Sequence, residues 1–233
     1  MKRRIIGTLT MLLLVLALLP VMTTDVSAKM AAKPILVVSS KTSGDKAVKL
    51  SWIKVSGADK YVVYGARCGK TAVKIKTVKG DTSYTVKKIS GKKLAAHKNY
   101  KFYVVAYKGN KKIITSDTIH LITGNTSGKY ANISSISVKN TSIKLNVGKS
   151  KTITPIKKIA KGKKHIPEKS HGKETRFYSS DTHIATVSST GKVTAISAGK
   201  VTIYVQDNSG KYCKVKVTVK GSATPTPTGE PDM

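Results

Sequence analysis

From about residue 35 to residue 220, apolar side chains recur at every second position in short runs and almost nowhere at helical spacing. A period of two places alternate side chains on opposite faces of an extended strand, whereas a helix needs a period near 3.6. Ala47-Val-Lys-Leu-Ser-Trp52 puts Val48, Leu50 and Trp52 on one face. Tyr212 to Val219 turns Lys214 and Lys216 outward and Val215, Val217 and Val219 inward. Such runs return about every 8–12 residues, separated by Gly, Asn, Asp, Ser and Lys, and that spacing predicts an all-β chain of packed sandwiches. Two sets of runs are separated by the polar stretch Gly124-Asn-Thr-Ser-Gly128.

The 233 residues open with a different pattern. Lys2, Arg3 and Arg4 precede an apolar run from Ile5 to Met22, and Val26-Ser-Ala28 offers small residues for cleavage. That order predicts a secretory signal peptide over 1–28. The uninterrupted core, Met11 to Leu19, is short against the roughly 20 residues of a membrane span. The expectation is a secreted or extracellular chain, free or associated with the cell wall, with no transmembrane segment after cleavage. No lipoprotein cysteine follows the apolar run, and the end of the chain has no sortase-type signal or apolar stop. The Thr-Pro repeats of 221–233 predict an extended tail or a linker to further chain.

The first set runs through Tyr61-Val-Val-Tyr-Gly-Ala66, Val73 to Val78, Ser83 to Lys87 and Tyr100-Lys-Phe-Tyr-Val-Val-Ala-Tyr107. Gly109-Asn110 signals a turn, and Ile113 to Thr123 closes the set. A single Trp on the second strand, a Tyr-rich third strand and Leu94 followed by Tyr100-x-Phe-x-Val-x-Ala106 resemble a fibronectin type III domain over about 33–124. The resemblance implies a tyrosine corner, with the Tyr100 phenol bonded to backbone near Leu94. Trp52, Tyr61 and Tyr100 are expected in the core.

In the second set, Ile136 to Val138, Ile143 to Val147 and Lys151 to Thr154 are expected as early strands. Phe177-Tyr-Ser-Ser-Asp-Thr-His-Ile-Ala-Thr-Val187, then Gly191-Lys-Val-Thr-Ala195, then Gly199-Lys-Val-Thr-Ile203 resemble the group 2 bacterial immunoglobulin-like domain over about 132–220. Gly191 is expected at a tight turn with positive φ. Val193, Ala195 and Ile196 are expected to continue the core. The basic segment 157–176 is longer than the loop that the family usually has there. The fold expected is therefore two consecutive immunoglobulin-like β-sandwiches joined by 125–131.

Little in the chain looks catalytic. The acidic residues Asp45, Asp59, Asp81, Asp117, Glu168, Glu174, Asp181, Asp207, Glu230 and Asp232 are scattered, mostly in turns, with no context like a glycosidase dyad. His97, His120, His165, His171 and His183 have no zinc-binding spacing. His165 and His171 share a loop whose lysines would oppose a cation. No metal, no cofactor and no enzymatic activity are expected. Two cysteines, Cys68 and Cys213, cannot build a disulfide scaffold; they are either paired between the modules or separate thiols. In sandwiches joined end to end they need not meet. The sequons at Asn125, Asn132 and Asn140 are read as chance.

Charge is the strongest remaining signal. There are 43 Lys and Arg against 11 Asp and Glu, a net charge of +32, and both halves share the excess. Such a surface attracts polyanions through its long-range field and by counterion release. The densest stretch supplies the candidate polyanion-binding residues Lys157, Lys158, Lys161, Lys163, Lys164, Lys169, Lys173 and Arg176. Only Arg3, Arg4, Arg67 and Arg176 are arginine, which argues against bidentate base readout and sequence-specific nucleic-acid recognition. The plainer alternative is that lysine fills exposed strand positions and keeps strand edges from aggregating. The function expected is a secreted or surface-associated, non-enzymatic Gram-positive spacer and binding module. Its partners would be anionic cell-wall polymers or glycans, in adhesion or wall association. The alternative is an accessory fragment of a larger extracellular carbohydrate-active enzyme.

Overall fold

In a computed structural model, residues 35–167 and 171–221 are described. The signal peptide, the Thr-Pro tail, Glu168 and Lys169 lie outside them. The alternating runs become strands, and each set buries its inward face in a core of its own. Leu36, Val48, Leu50, Trp52, Tyr61, Phe102 and Ile119 belong to the first core. Ile133, Ile143, Ala185, Val193, Ile203 and Val217 belong to the second.

The first sandwich is built from β1 (Val38–Thr42), β2 (Val48–Trp52), β3 (Lys60–Arg67), β4 (Val73–Lys79) and β5 (Ser83–Val86). It continues with the short pair β6 (Lys88–Ile89) and β7 (Lys92–Lys93), then β8 (Asn99–Lys108), β9 (Lys111–Thr115) and β10 (Ile119–Ile122). One sheet has the order β1-β2-β5; the other has β10-β8-β3-β4, with β9 also on β8. A three-stranded sheet thus faces a five-stranded one. The tyrosine corner is present: Ala95 N donates to the Tyr100 phenol at 2.9 Å, beside buried Leu94. Trp52, Tyr61 and Tyr100 are buried, and Val55 N donates to the Tyr61 phenol at 2.8 Å.

The run Ile113 to Thr123 that closes the set holds two strands. β9 and β10 follow different parts of β8, and Ser116 breaks the run between them. Its backbone N donates to Val104 O at 2.9 Å, and its hydroxyl accepts from Val104 N at 3.0 Å. The break frees Asp117 and Thr118 for contacts outside the sheet.

The connection between sandwiches is itself structured. β11 (Thr126–Ser127) and β12 (Tyr130–Ala131) form a hairpin, and β12 also pairs in parallel with β17 (Lys164–His165). Between them come β13 (Ser135–Val138), β14 (Ser142–Asn146), β15 (Ser150–Thr152) and β16 (Pro155–Lys158). The chain ends in β18 (Thr175–Ser179), β19 (Ala185–Val187), β20 (Lys192–Ala195), β21 (Gly199–Asp207) and β22 (Tyr212–Lys220). The main sheet of the second sandwich is β14-β22-β21-β18, opposite β15-β20-β19, with β13-β16 as a further pair.

Gly191 has φ +85°, and a Cβ there would stand 2.6 Å from Ile153 O and 2.8 Å from Phe177 Cζ. Only glycine meets both demands. Ile196 departs from expectation: it is 45% exposed, because the alternation that buries Val193 and Ala195 turns the next position outward.

Candidate functional site

The basic segment is not a free loop. Its residues run along the first sandwich and the connecting hairpin, and several are drawn inward. The Lys157 side chain is 19% exposed, and its ammonium lies 2.9 Å from Glu174 and 3.4 Å from Asp207. Arg176 donates to Thr118 O at 2.8 Å, in the gap between β9 and β10. Lys163 Nζ donates to Gly128 O at 2.9 Å. Lys158, Lys161, Lys164 and Lys173 are exposed. Of the eight candidates, Lys169 lies outside the described residues, and the other seven do not form one surface: two serve the joint, one holds the connecting hairpin, and four face solvent.

The joint forms around the turn between β21 and β22, where Gln206, Asp207, Asn208 and Ser209 are buried. In the first sandwich β1 and β10 are edge strands whose outer backbone groups need partners. The turn supplies them. Ser40 N donates to Gly210 O at 3.3 Å, and His120 N donates to Asn208 O at 2.8 Å. Gln206 Nε2 donates to Val38 O at 2.6 Å. Gly210 sits so close that a Cβ would lie 2.9 Å from Ser40 N, at φ +88°. Nearby, the Tyr178 hydroxyl donates to Asp117 Oδ2 at 2.7 Å. Asn132 acts like an added strand residue: its side chain accepts from Ile122 N at 2.8 Å and donates to Ile122 O at 2.7 Å. That sequon side chain is committed to backbone.

Asp207 is the electrostatic centre of the joint. Its side chain has no exposure, yet the carboxylate accepts from Ser209 N at 2.8 Å, from the Ser209 hydroxyl and from His165 Nε2 at 2.8 Å. His165 Nδ1 lies 2.8 Å from Ile166 O, so both ring nitrogens face acceptors and the imidazolium is favoured. Burial opposes charge on His165, but the bond to and charge of Asp207, the bond to Ile166 O and the charge of Glu174 together outweigh it, and the pKa rises. Burial likewise opposes charge on Asp207, and the His165 and Ser209 bonds outweigh it and lower the pKa.

Two assemblies were not legible in the sequence. The doublets Lys87-Lys88 and Lys92-Lys93 are folded face to face by β6 and β7, with Lys88 directly opposite Lys93. All four are exposed, and Lys46, Lys87, Lys88 and Lys93 line an open groove with Asp45. The two doublets flanking Ser90-Gly91 were the available signal. The second assembly brings together Cys68, His120 and His171, which lie far apart in the chain; no spacing reveals it. Cys68 and Cys213 are both free thiols, the latter packed half-buried against the second core.

The ordered motif of the second sandwich now has a physical reading. The Ser179 hydroxyl donates to Ala185 O at 2.6 Å and folds the turn back so that Ala185 enters the core. The Ser180 hydroxyl accepts from Thr202 N at 2.9 Å, tying β18 to β21. The family profile of the bacterial Ig-like domain (group 2) matches residues 132–219. That segment is a group 2 bacterial Ig-like domain. Among solved structures, a Fn3-like protein from Clostridium thermocellum is 21% identical over 39% of this chain and 93% of its own, at TM-score 0.33. The human fibronectin type III domain containing protein 3 domain is 25% identical over 39% of this chain and 83% of its own, at TM-score 0.32. A β-1,2-glucanase from Parabacteroides distasonis is 19% identical over 40% of this chain and 12% of its own, at TM-score 0.32. No curated protein matches the chain in sequence. The Ig-like domain thus brings to the joint both its β21–β22 turn and its long basic segment. Among the described residues, no helix is long and apolar enough to cross a membrane.

Proposed function

We propose that this chain is a secreted, non-catalytic spacer and binding module of the bacterial surface, whose lysine faces contact anionic wall polymers or glycans. One observation carries the reading. Lys41 lies opposite Lys49, Lys88 opposite Lys93 and Lys108 opposite Lys111 across antiparallel strand pairs, and all six are exposed. Like charges directly opposite one another destabilise a sheet. Among the described residues, Lys157 is the lysine with a carboxylate in ion-pair range, and it belongs to the joint. The facing pairs gain a counter-charge from a polyanion. Lysine suits this role, because a polymer of repeating charge needs density of charge rather than bidentate geometry. Exposed Lys158, Lys161, Lys164 and Lys173 extend the same surface, and Lys169 completes the proposed set. Lys157, Lys163 and Arg176 position the segment.

The test is binding to isolated Gram-positive cell wall, with and without teichoic acid, across a salt series. Teichoic-acid-dependent binding that falls steeply with salt is expected, and K88E with K93E should lower the salt slope. Binding indifferent to teichoic acid and salt would refute the polyanion assignment.

A further inference from the structure

The three side chains left without a role in the fold or in the lysine surface meet at the boundary between the two sandwiches. Cys68 directly follows β3, and its backbone N donates to Asn99 O at 2.9 Å. His120 lies on β10, so Cys68 and His120 flank β8 from either side. His171 belongs to the long basic segment of the Ig-like domain and is buried. Cys68 Sγ is 3.6 Å from His120 Nδ1 and 3.8 Å from His171 Nδ1, and the two Nδ1 atoms are 3.2 Å apart.

These separations have the dimensions of a coordination shell. With zinc–sulfur bonds of about 2.3 Å and zinc–nitrogen bonds of about 2.0–2.1 Å, a tetrahedron has S···N edges of about 3.6 Å and N···N edges of about 3.4 Å. We propose that Cys68 Sγ, His120 Nδ1 and His171 Nδ1 form a three-ligand site for a zinc(II) ion that ties the Ig-like domain to the fibronectin type III-like sandwich. One thiolate and two imidazoles match the preferences of zinc. Binding releases the Cys68 proton to solvent as the sulfur–metal bond forms. The fourth position is left to water, since Cys68 and His120 are only half-buried.

The surroundings set limits on the ion. Burial pushes the Cys68 thiol up to about 11, with Lys101 acting against it. Burial first, then His171, Arg176 and Lys101, brings His120 down to about 4, so its imidazole is neutral at pH 7. The thiolate offsets one charge of the dication, which lets the site tolerate the two nearby cations. The other convergence of ligating groups, His165 with Glu174 and Asp207, is different: the Lys157 ammonium already stands among them. The site is independent of the polyanion reading, because none of its ligands belongs to the lysine surface.

The test is titration of the chelator-treated, reduced chain with cobalt(II), followed by zinc(II) competition. One equivalent of cobalt should give the intense visible bands of a tetrahedral centre and an ultraviolet thiolate-to-cobalt band, both displaced by zinc. C68S should abolish the thiolate band, H120A and H171A should each weaken cobalt binding at least tenfold, and C213S should change nothing. X-ray absorption at the zinc edge of the unmodified chain gives a reading that survives a misfolded variant: one sulfur and two imidazole nitrogens are expected. A shell without sulfur, a thiolate band that persists in C68S, or no binding of either metal at equivalence would overturn the proposal.

Discussion

A single phenol shows how one residue fixes a local path. The Tyr100 hydroxyl is the acceptor for Ala95 N at 2.9 Å, which pins the crossing from Leu94 into β8. The ring beneath it is part of the first core, so replacing only the hydroxyl isolates the bond. Tyr100→Phe should destabilise the chain by about 1 kcal/mol, the usual net worth of such a bond. Urea unfolding followed by Trp52 fluorescence checks this, with the slope of the transition unchanged. The corner was legible in the sequence because its residues sit within seven positions of one another. Ile196 was misread for the opposite reason: apolar identity outvoted the phase of the strand, and the phase was right.

At the scale of elements, the β21–β22 turn carries the most consequence. By composition, Asp207-Asn-Ser-Gly210 is an ordinary exposed turn. In the structure it is buried, because two edge strands of the other sandwich complete their hydrogen bonding on it. Strand alternation reveals the elements that a chain forms, but not which edges meet across a hundred residues. The basic segment was legible as an unusual insertion for the same family reason that made the Ig-like domain legible. Its role at the joint was not, since Lys157 and Arg176 look like any other cations until Asp207 and Thr118 face them.

The Asp207–His165 pair gives the joint a pH signature. Asp207 is lowered from 3.8, so its contribution is present above that value and fades as pH falls through the folded pKa. His165 is raised from 6.5, so its contribution is present below that value and is lost as pH rises through the folded pKa. Stability from the pair is therefore greatest between these two ordinary values. Asp207→Asn should cost about 3 kcal/mol near pH 5.5, where it leaves His165 and Lys157 without their buried partner. The cost should shrink as pH rises through the raised pKa of His165. Urea midpoints of both proteins across pH 4–9 check this; parallel profiles would show that the pair is not the source.

On the scale of the whole molecule, the chain is two cores with a built joint rather than two beads on a flexible tether. The connecting hairpin, Asn132 on Ile122, Arg176 on Thr118 and the buried turn each remove freedom between the sandwiches. On the proposed reading, such a joint would hold the lysine faces in a constant relation to a polymer, which favours many weak contacts acting together. The all-β class, the two modules and the Ig-like motif were legible because they rest on local periodicity and ordered short motifs. The facing lysine pairs, the joint and the Cys68–His120–His171 cluster were not, because each depends on register or on contacts between distant segments.

Native-state amide hydrogen exchange measures the joint most directly. His120 N and Ser40 N donate from the edges of the first sandwich to Asn208 O and Gly210 O of the second. A locked joint predicts that these two amides exchange as slowly as those of Val215 and Val217 inside the second sandwich, and that Asp207→Asn speeds them selectively. Exchange of His120 and Ser40 at the rate of an exposed turn amide, such as that of Asn110, would contradict it.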